Sequence, residues 1–176
     1  TGKLIVNTMV QMKGKDSAME YFKEVDKNIC QYTKSGSGPS KLVPTGEVVI
    51  GIGFLHDVVY QIVDNGYDNL GMCAPKSGTS YEIGATAIFK GCKNEENAKK
   101  FIEFALSPEC VNLAQSNGSY QFLVIDNAKP VKAAVDAGLD KIATIKYELK
   151  NEKICGPSYY KKFFEVIAAD DRVKTK

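Results

Sequence analysis

Seven consecutive apolar residues, 48–54 (VVIGIGF), set the strongest limit on how this chain folds. Four of them are β-branched, and no polar residue interrupts the run. An uninterrupted run of this kind is typical of a strand buried on both faces, because a half-buried strand would alternate apolar and polar residues. Strands buried on both faces occur in parallel sheets covered by helices, so the segment favours an α/β architecture.

Helix-patterned and strand-patterned segments alternate along most of the sequence. Besides residues 48–54, strands are predicted at 70–74 and 82–89, and extended backbone at 120–125. Apolar side chains at helical spacing predict helices at 3–12, 17–29, 39–44, about 58–65, 95–106, 108–116, 129–137 and 157–168. This order predicts an α/β fold with a mainly parallel sheet flanked by helices.

The composition excludes several classes of protein. Of the 176 residues, 44% are apolar and 25% charged, which is ordinary globular usage and excludes disordered and fibrous chains. No run of about 18 apolar residues occurs, so no transmembrane helix is predicted. The net charge of +2 is too small to indicate nucleic-acid binding. The length suits one medium domain or two small ones.

Cysteine and histidine give no metal-binding motif. His56 is the only histidine, and no two cysteines are spaced as Cys-x-x-Cys, so a zinc or thioredoxin-like site is not supported. We expect most cysteines to be small buried apolar residues, and their spacing assigns no disulfide. The five are Cys30, Cys73, Cys92, Cys110 and Cys155.

The first candidate binding loop, called the serine–glycine loop below, consists of Ser35, Gly36, Ser37 and Gly38. It precedes the predicted helix 39–44, and two glycines and two hydroxyls at a helix start can present several N–H groups to one anion. Lys34 and Lys41 add positive charge. The same residues also fit a plain connecting loop with a serine cap, and their spacing is not that of a Walker A loop.

Three further residues have side chains suited to ligand binding. His56 and Asp57 follow the predicted strand 48–54, at the carboxyl end where open α/β sheets bind ligands. His56 can donate a hydrogen bond or balance an anion, and Asp57 can accept from hydroxyls, although Asp57 also fits a helix cap. Glu82 begins an apolar strand, where its carboxylate could bind ligand hydroxyls or pair with a lysine.

Both ends of the chain carry residues that allow a binding role. Thr1 and Gly2 precede the first predicted helix and fit the rear half of a second anion-binding turn, and the absence of an initiator methionine predicts that this end is cut. Tyr159 and Tyr160 could suggest a paired-phenolate iron site. Their place in the predicted helix 157–168 favours a packed amphipathic helix instead.

Four segments together resemble a known family. They are TGKLIVNTMVQMKGKDSAMEYF, YTKSGSGPSKLVPTGEVVIGIGFLHD, SGTSYEIGATAIFKGCKNEENAKKFIEFALSPE and NGSYQF, in that order. They are similar to the extracytoplasmic solute-binding proteins of ABC importers, in the subgroup for ferric iron, sugar phosphates and aminoethylphosphonate. The resemblance covers roughly residues 1–135.

The resemblance implies a fold of the type 2 periplasmic-binding-protein class, with two lobes. Residues 1–80 would form the second, ligand-binding lobe, truncated at its N-terminus. Residues 81–176 would form the returning segment and the C-terminal helices of the first lobe. Members of the family are roughly twice as long, so the chain is expected to be a C-terminal fragment. Association with another copy through the truncated lobe would be one way to cover its exposed surface.

The resemblance also implies the function. Such proteins capture a small anionic solute between the lobes and deliver it to an ABC permease in the membrane, without cofactor, metal or bond cleavage. In sugar-phosphate members, serine–glycine turns hold the phosphate, while a His-Asp pair and a glutamate bind hydroxyls. These roles transfer here to Thr1, Gly2, Ser35, Gly36, Ser37, Gly38, His56, Asp57 and Glu82.

The resemblance leaves alternatives open. Ser77 stands where an acidic residue is often found, and the tyrosine pair of iron-binding members is missing from the matching region, so a phosphorylated sugar or a phosphonate is favoured over ferric iron. A ligand-sensing domain of a regulator or receptor, and an enzyme acting through His56 and Asp57, are the other readings. The expected location is periplasmic or extracytoplasmic, with a lipid anchor in the full-length protein.

Overall fold

The computed structural model describes residues 2–148, 155–167 and 173–174. Thr1, at the start of the chain, lies outside them. The described residues form nine α-helices, a 3-10 turn at Leu139–Lys141 and two short strands, β1 (Tyr32–Thr33) and β2 (Val173–Lys174). The helices are α1 (Gly2–Lys13), α2 (Lys15–Asp26), α3 (Gly38–Leu42), α4 (Leu55–Val63), α5 (Glu95–Ala105), α6 (Pro108–Val111), α7 (Leu113–Ser116), α8 (Lys132–Asp136) and α9 (Pro157–Val166).

The chain divides into two compact units, each assembled from separated segments. The first unit comprises Thr1–Phe54, Asn69–Glu82 and Ile142–Lys176, and the second comprises Leu55–Asp68 and Ile83–Lys141. The predicted lobe boundary between residues 80 and 81 describes the two lobes of the longer family members. It stays a prediction.

The core of the first unit is built by α1, α2 and α9. Gly14 links α1 to α2 with a φ of 82°, which glycine adopts without steric cost. The Phe22 and Phe163 rings then meet edge to face, with centroids 5.0 Å apart. The buried cluster contains Val6, Val10, Ala18, Met19, Phe22, Cys155, Phe163 and Ile167. Tyr159 and Tyr160 pack against this cluster, which confirms the amphipathic helix predicted there.

The second unit has a smaller core around Val59 on α4, which is 1% exposed. Tyr120, Val131 and Ala134 are also buried there. Helices occur near the predicted positions, but the helix predicted at 108–116 is divided at Asn112 into α6 and α7, and α8 is shorter than the predicted 129–137. The apolar face of α5 is largely open, and Phe101 is 67% exposed.

The predicted parallel sheet is not confirmed. Within the described residues the only ladder is the parallel pair of β1 and β2, with Tyr32 opposite Val173, and one isolated parallel bridge joins Thr79 to Thr144. Residues 48–54, 70–74, 82–89 and 120–125 form no strand in the part of the chain that is described. The predicted burial of residues 48–54 is also wrong, since Val49 is 92% exposed.

The physical reason is the absence of a pairing neighbour. A strand exists only where a second backbone supplies N–H and C=O groups in register, which local sequence cannot provide. Among the described residues, no such backbone lies beside these four segments.

Two smaller expectations were also tested. The five cysteines form no disulfide among the described residues, and Cys155 is buried, whereas Cys30 and Cys73 are exposed, so their predicted burial is wrong. None of the helices in residues 2–148 and 155–167 has the length and apolar character needed to cross a membrane.

Candidate functional site

The serine–glycine loop forms a tight turn in the first unit. The Gly38 N–H donates to the Ser35 carbonyl oxygen at 3.1 Å, and Thr33 Oγ1 donates to the same oxygen at 2.8 Å. The Ser35 and Ser37 hydroxyls lie 3.1 Å apart and share a hydrogen bond. Two hydroxyls and a turn of backbone are therefore gathered at one place.

The loop also presents unpaired backbone donors. Within the described residues, the N–H groups of Ser35, Gly36 and Ser37 make no hydrogen bond to the protein. Successive N–H groups in a turn can form a concave site for an anion. Because α3 has five residues and sums few peptide dipoles, the anion-binding chemistry of this loop rests on its hydroxyls and N–H groups.

Close packing explains two glycines around the loop, Gly38 and Gly51. A Cβ at Gly38 would lie 2.7 Å from the Thr33 Cβ, so no larger residue fits without movement. A Cβ at Gly51 would lie 2.9 Å from the Pro39 carbonyl oxygen, whereas one at Gly53 would be in ordinary van der Waals contact with the Gly36 carbonyl oxygen, at 3.5 Å. Backbone from residues 51–53 thus packs directly against the loop and the start of α3.

The start of α3 differs from the prediction in one detail. Ser37 occupies the N-cap position as predicted, but its side chain makes no capping hydrogen bond within the described residues. Its hydroxyl meets Ser35 instead, while Ser40 Oγ donates to the Ser37 carbonyl oxygen at 2.9 Å. The hydroxyl of Ser37 therefore faces the loop and not the helix.

His56 and Asp57 form a pair in the second unit. Both lie in the first turn of α4, with His56 Nε2 3.7 Å from Asp57 Oδ1, and their side chains are 27% and 23% exposed. Asp57 is the third residue of α4, not its N-cap. Gln121 Nε2, from a distant part of the sequence, lies within hydrogen-bonding distance of His56 Nε2, at 3.3 Å.

Glu82 and Gly2 lie in the first unit with the loop. Glu82 is exposed, and its charge reaches Tyr147. Burial is the main cause that raises the pKa of Tyr147 and Glu82 adds to it, whereas the hydrogen bond from Asn7 Nδ2 at 3.1 Å lowers it. Gly2 begins α1.

The structure joins some of the predicted residues directly and not others. Ser35 meets Ser37, and His56 meets Asp57. Within residues 2–148, no hydrogen bond or ion pair connects Gly2 or Glu82 to the serine–glycine loop. Thr1 lies outside the described residues, so its predicted role stays a prediction.

Two side-chain contacts near His56 and α4 were not predicted from the sequence. Gln121 belongs to the NGSYQF segment but carries no sign that it reaches His56, 65 positions earlier. Tyr120 is 6% exposed, and its hydrogen bond to Asp64, together with burial, raises its pKa to about 12. The first contact joins α4, and the second joins the residue that follows α4, to the chain after Gly118.

The described residues were also searched for a metal site, and one surface depression lies away from the predicted site residues. Groups of three or more metal-binding His, Cys, Asp or Glu side chains are absent from the described residues. An open depression of about 510 Å³ on α1 and α2 contains none of the predicted site residues. Its lining consists of Lys13, Ser17, Glu20, Tyr21 and Glu24.

Comparison with known proteins gives three findings. Residues 1–124 match the family described as bacterial extracellular solute-binding protein. An uncharacterized protein from Haemophilus influenzae is 40% identical over 144 residues, which is 81% of this chain and 40% of that protein. The periplasmic binding protein AfuA from Actinobacillus pleuropneumoniae, solved with exogenous fructose 6-phosphate bound, matches 97% of this chain with a TM-score of 0.81 and 36% identity.

The chain covers only part of the length of each relative. It spans 40% of the Haemophilus influenzae protein and 53% of the AfuA chain. The likeness to AfuA is consistent with the type 2 fold expected from the sequence.

Proposed function

The chain belongs to the bacterial extracellular solute-binding protein family, and we propose that it is part of the substrate-binding component of an ABC importer. The solute is a small anion, a phosphorylated sugar or a phosphonate, captured outside the cytoplasm and passed to a membrane permease. The observation that carries this proposal is the match to AfuA, which binds fructose 6-phosphate in its solved structure.

The serine–glycine loop supplies the chemistry for a phosphate group. Phosphate oxygens are hydrogen-bond acceptors, and the loop holds two neighbouring hydroxyls and three unpaired N–H groups among the described residues. Lys34 and Lys41 flank it in the sequence. We assign phosphate recognition to Ser35, Gly36, Ser37 and Gly38.

His56 and Asp57 supply the chemistry for sugar hydroxyls. A carboxylate accepts from hydroxyl groups, and a histidine can donate or accept, so the pair suits a polyhydroxy solute. Gln121 Nε2 lies 3.3 Å from the imidazole, within hydrogen-bonding distance. Thr1, Gly2 and Glu82 stay secondary proposals, because their support is the resemblance of their segments to the family.

Binding without chemical turnover is part of the proposal. The family and AfuA are binding proteins, which supports transport over catalysis. The extracytoplasmic location follows the family, and a lipid anchor in the full-length protein stays an expectation.

Isothermal titration calorimetry on the purified protein tests the solute class. Fructose 6-phosphate should bind more tightly than fructose or inorganic phosphate alone, because each lacks one of the two recognised groups. The Ser37→Ala variant should weaken fructose 6-phosphate, whereas Ser17→Ala, on the exposed face of α2, should not. Tight binding of ferric citrate without any phosphorylated sugar would overturn the proposal, and release of inorganic phosphate would indicate an enzyme.

A further inference from the structure

Gln121 lies beside the pair of residues to which hydroxyl binding is assigned. Its Nε2 is 3.3 Å from His56 Nε2, and Asp57 Oδ1 is 3.7 Å from the same nitrogen. All three residues belong to the second unit, although Gln121 follows His56 by 65 positions in the sequence. The resemblance to the family gave Gln121 no role.

Two contacts hold the backbone that leads to Gln121. Gly118 has a φ of 75°, and a Cβ there would lie 2.9 Å from Tyr60 Cε2, so the backbone packs closely on that ring. Two residues later, Tyr120 is buried, and its hydroxyl is hydrogen bonded to the Asp64 carboxylate. The backbone before Gln121 is therefore anchored to α4 and to the residue that follows it, and the same helix carries the histidine–aspartate pair.

The Gln121 side chain has hydrogen-bonding groups left for a ligand. A glutamine amide offers two N–H donors and an oxygen that accepts hydrogen bonds. Within the described residues, the only hydrogen bond of this amide is the one to His56, and Gln121 is exposed. One N–H can therefore meet His56 while the second N–H and the oxygen stay open to a solute.

The three side chains together fit neighbouring hydroxyl groups. A hydroxyl both donates and accepts, so it binds best where a donor and an acceptor lie close together. The ionised Asp57 carboxylate only accepts, whereas the Gln121 amide also donates. A sugar ring presents hydroxyls on adjacent carbons to such a pair, and a simple alkyl phosphate or phosphonate does not.

We propose that Gln121 is a third hydroxyl-binding residue, which contacts the solute directly and makes the site select a phosphorylated sugar over a phosphonate. A few well-placed polar groups fix the specificity of a small-molecule site, and a missing hydroxyl leaves such groups unpaired. This inference rests on the proposed function, because it extends the hydroxyl recognition assigned to His56 and Asp57.

Calorimetry with the Gln121→Met variant tests the proposal. Methionine is similar to glutamine in length and flexibility but lacks the amide. The variant should bind fructose 6-phosphate about tenfold more weakly than the native chain, because the loss of one hydrogen bond is worth about that factor. Methyl phosphate carries a phosphate group without sugar hydroxyls, and its affinity should be the same for both proteins.

Gln115→Met is the matched control. It is the same change in the same unit, at a side chain whose Oε1 is buried without a hydrogen-bond partner among the described residues. This variant should bind fructose 6-phosphate as the native chain does. Both variants should keep the native melting temperature, which shows that the folded state is intact.

A double variant separates direct contact from an effect through the imidazole. His56→Ala combined with Gln121→Met should bind fructose 6-phosphate more weakly than His56→Ala alone, by about the factor lost in Gln121→Met. If Gln121 acted only by positioning His56, the double variant would bind as His56→Ala does. That result would overturn the proposal.

The remaining outcomes distinguish this proposal from the transport function. Equal affinity of the native chain and Gln121→Met for fructose 6-phosphate would overturn the role of Gln121 and leave the proposed function intact. An equal loss of affinity for methyl phosphate would also overturn it, because the effect would then not concern hydroxyls. If the native chain bound neither probe, the proposed function itself would fail, and the role of Gln121 with it.

Discussion

Gly38 sits against Thr33 so closely that a methyl group on Gly38 would lie 2.7 Å from the Thr33 Cβ. The obstructing atom is the branch point of a β-branched side chain, which cannot rotate away. The contact fixes the path of the backbone between β1 and α3, and with it the turn that carries Ser35 and Ser37.

Gly38→Ala should therefore destabilise the chain. Overpacking of this kind typically costs about 1–3 kcal/mol of unfolding free energy. Urea denaturation of the variant measures the cost, and Gly84→Ala is the control, because no described atom lies within 4 Å of its Cβ. Equal unfolding free energies for Gly38→Ala and Gly84→Ala would show that the backbone around Gly38 moves to accept the methyl group at little cost.

Ser107→Ala should destabilise α6 through loss of its cap. Ser107 Oγ accepts from the Cys110 N–H at 3.2 Å, and removing such a cap costs about 1 kcal/mol. Asn94→Ala is the matched control, since Asn94 is also an N-cap residue but makes no side-chain capping bond within the described chain. Urea unfolding should show a larger loss of free energy for Ser107→Ala than for Asn94→Ala.

Tyr120 should make stability fall at high pH. Its pKa is raised to about 12 in the folded chain by the hydrogen bond to Asp64 and by burial, from an ordinary tyrosine value of 10.0. Above pH 10 the unfolded chain loses this proton while the folded chain keeps it, so the stabilisation present at lower pH is lost between pH 10 and about 12.

Urea unfolding at pH 9 and pH 12 measures the effect. From pH 9 to pH 12, the native chain should lose more unfolding free energy than Tyr120→Phe does. Tyr21→Phe, which changes an exposed tyrosine on α2, is the control for removal of a phenol hydroxyl in general. A parallel pH dependence for native chain and Tyr120→Phe would remove Tyr120 as the cause.

Asp57→Ala should weaken a sugar-phosphate ligand if the proposed function is correct. Leaving hydroxyl partners unpaired in a half-buried site costs about 1–3 kcal/mol of binding free energy. Calorimetry with fructose 6-phosphate measures the loss, with Asp68→Ala, an exposed carboxylate of the same unit, as control. Unchanged affinity in Asp57→Ala would exclude Asp57 from the site.

Local features of the fold were predictable from the sequence. Helices α1, α4, α5 and α9 lie close to where apolar spacing placed them. These features depend on residues three or four positions apart, which a sequence pattern records directly.

Long-range features were not predictable in the same way. The apolar run at residues 48–54 has a strand's composition, but whether it is buried depends on backbone from elsewhere. Likewise, the neighbours His56 and Asp57 could be identified together, whereas Gln121 reaches His56 across 65 positions. Gly2, Glu82 and the serine–glycine loop were predicted one by one. The sequence does not tell how close together they lie in space.

The packing of Gly51 and Gly53 on Pro39 and Gly36 has a thermodynamic consequence. The approach is closest at Gly51, where a Cβ would lie 2.9 Å from the Pro39 carbonyl oxygen and 3.0 Å from Val43 Cγ2, whereas one at Gly53 would be in ordinary contact with Gly36. Movement of the 48–54 segment would therefore press on the start of α3 and on the turn holding Ser35 and Ser37. If an anion bound at this turn and restrained it, the segment would be restrained too, and order in the segment would favour binding of the anion by the same factor.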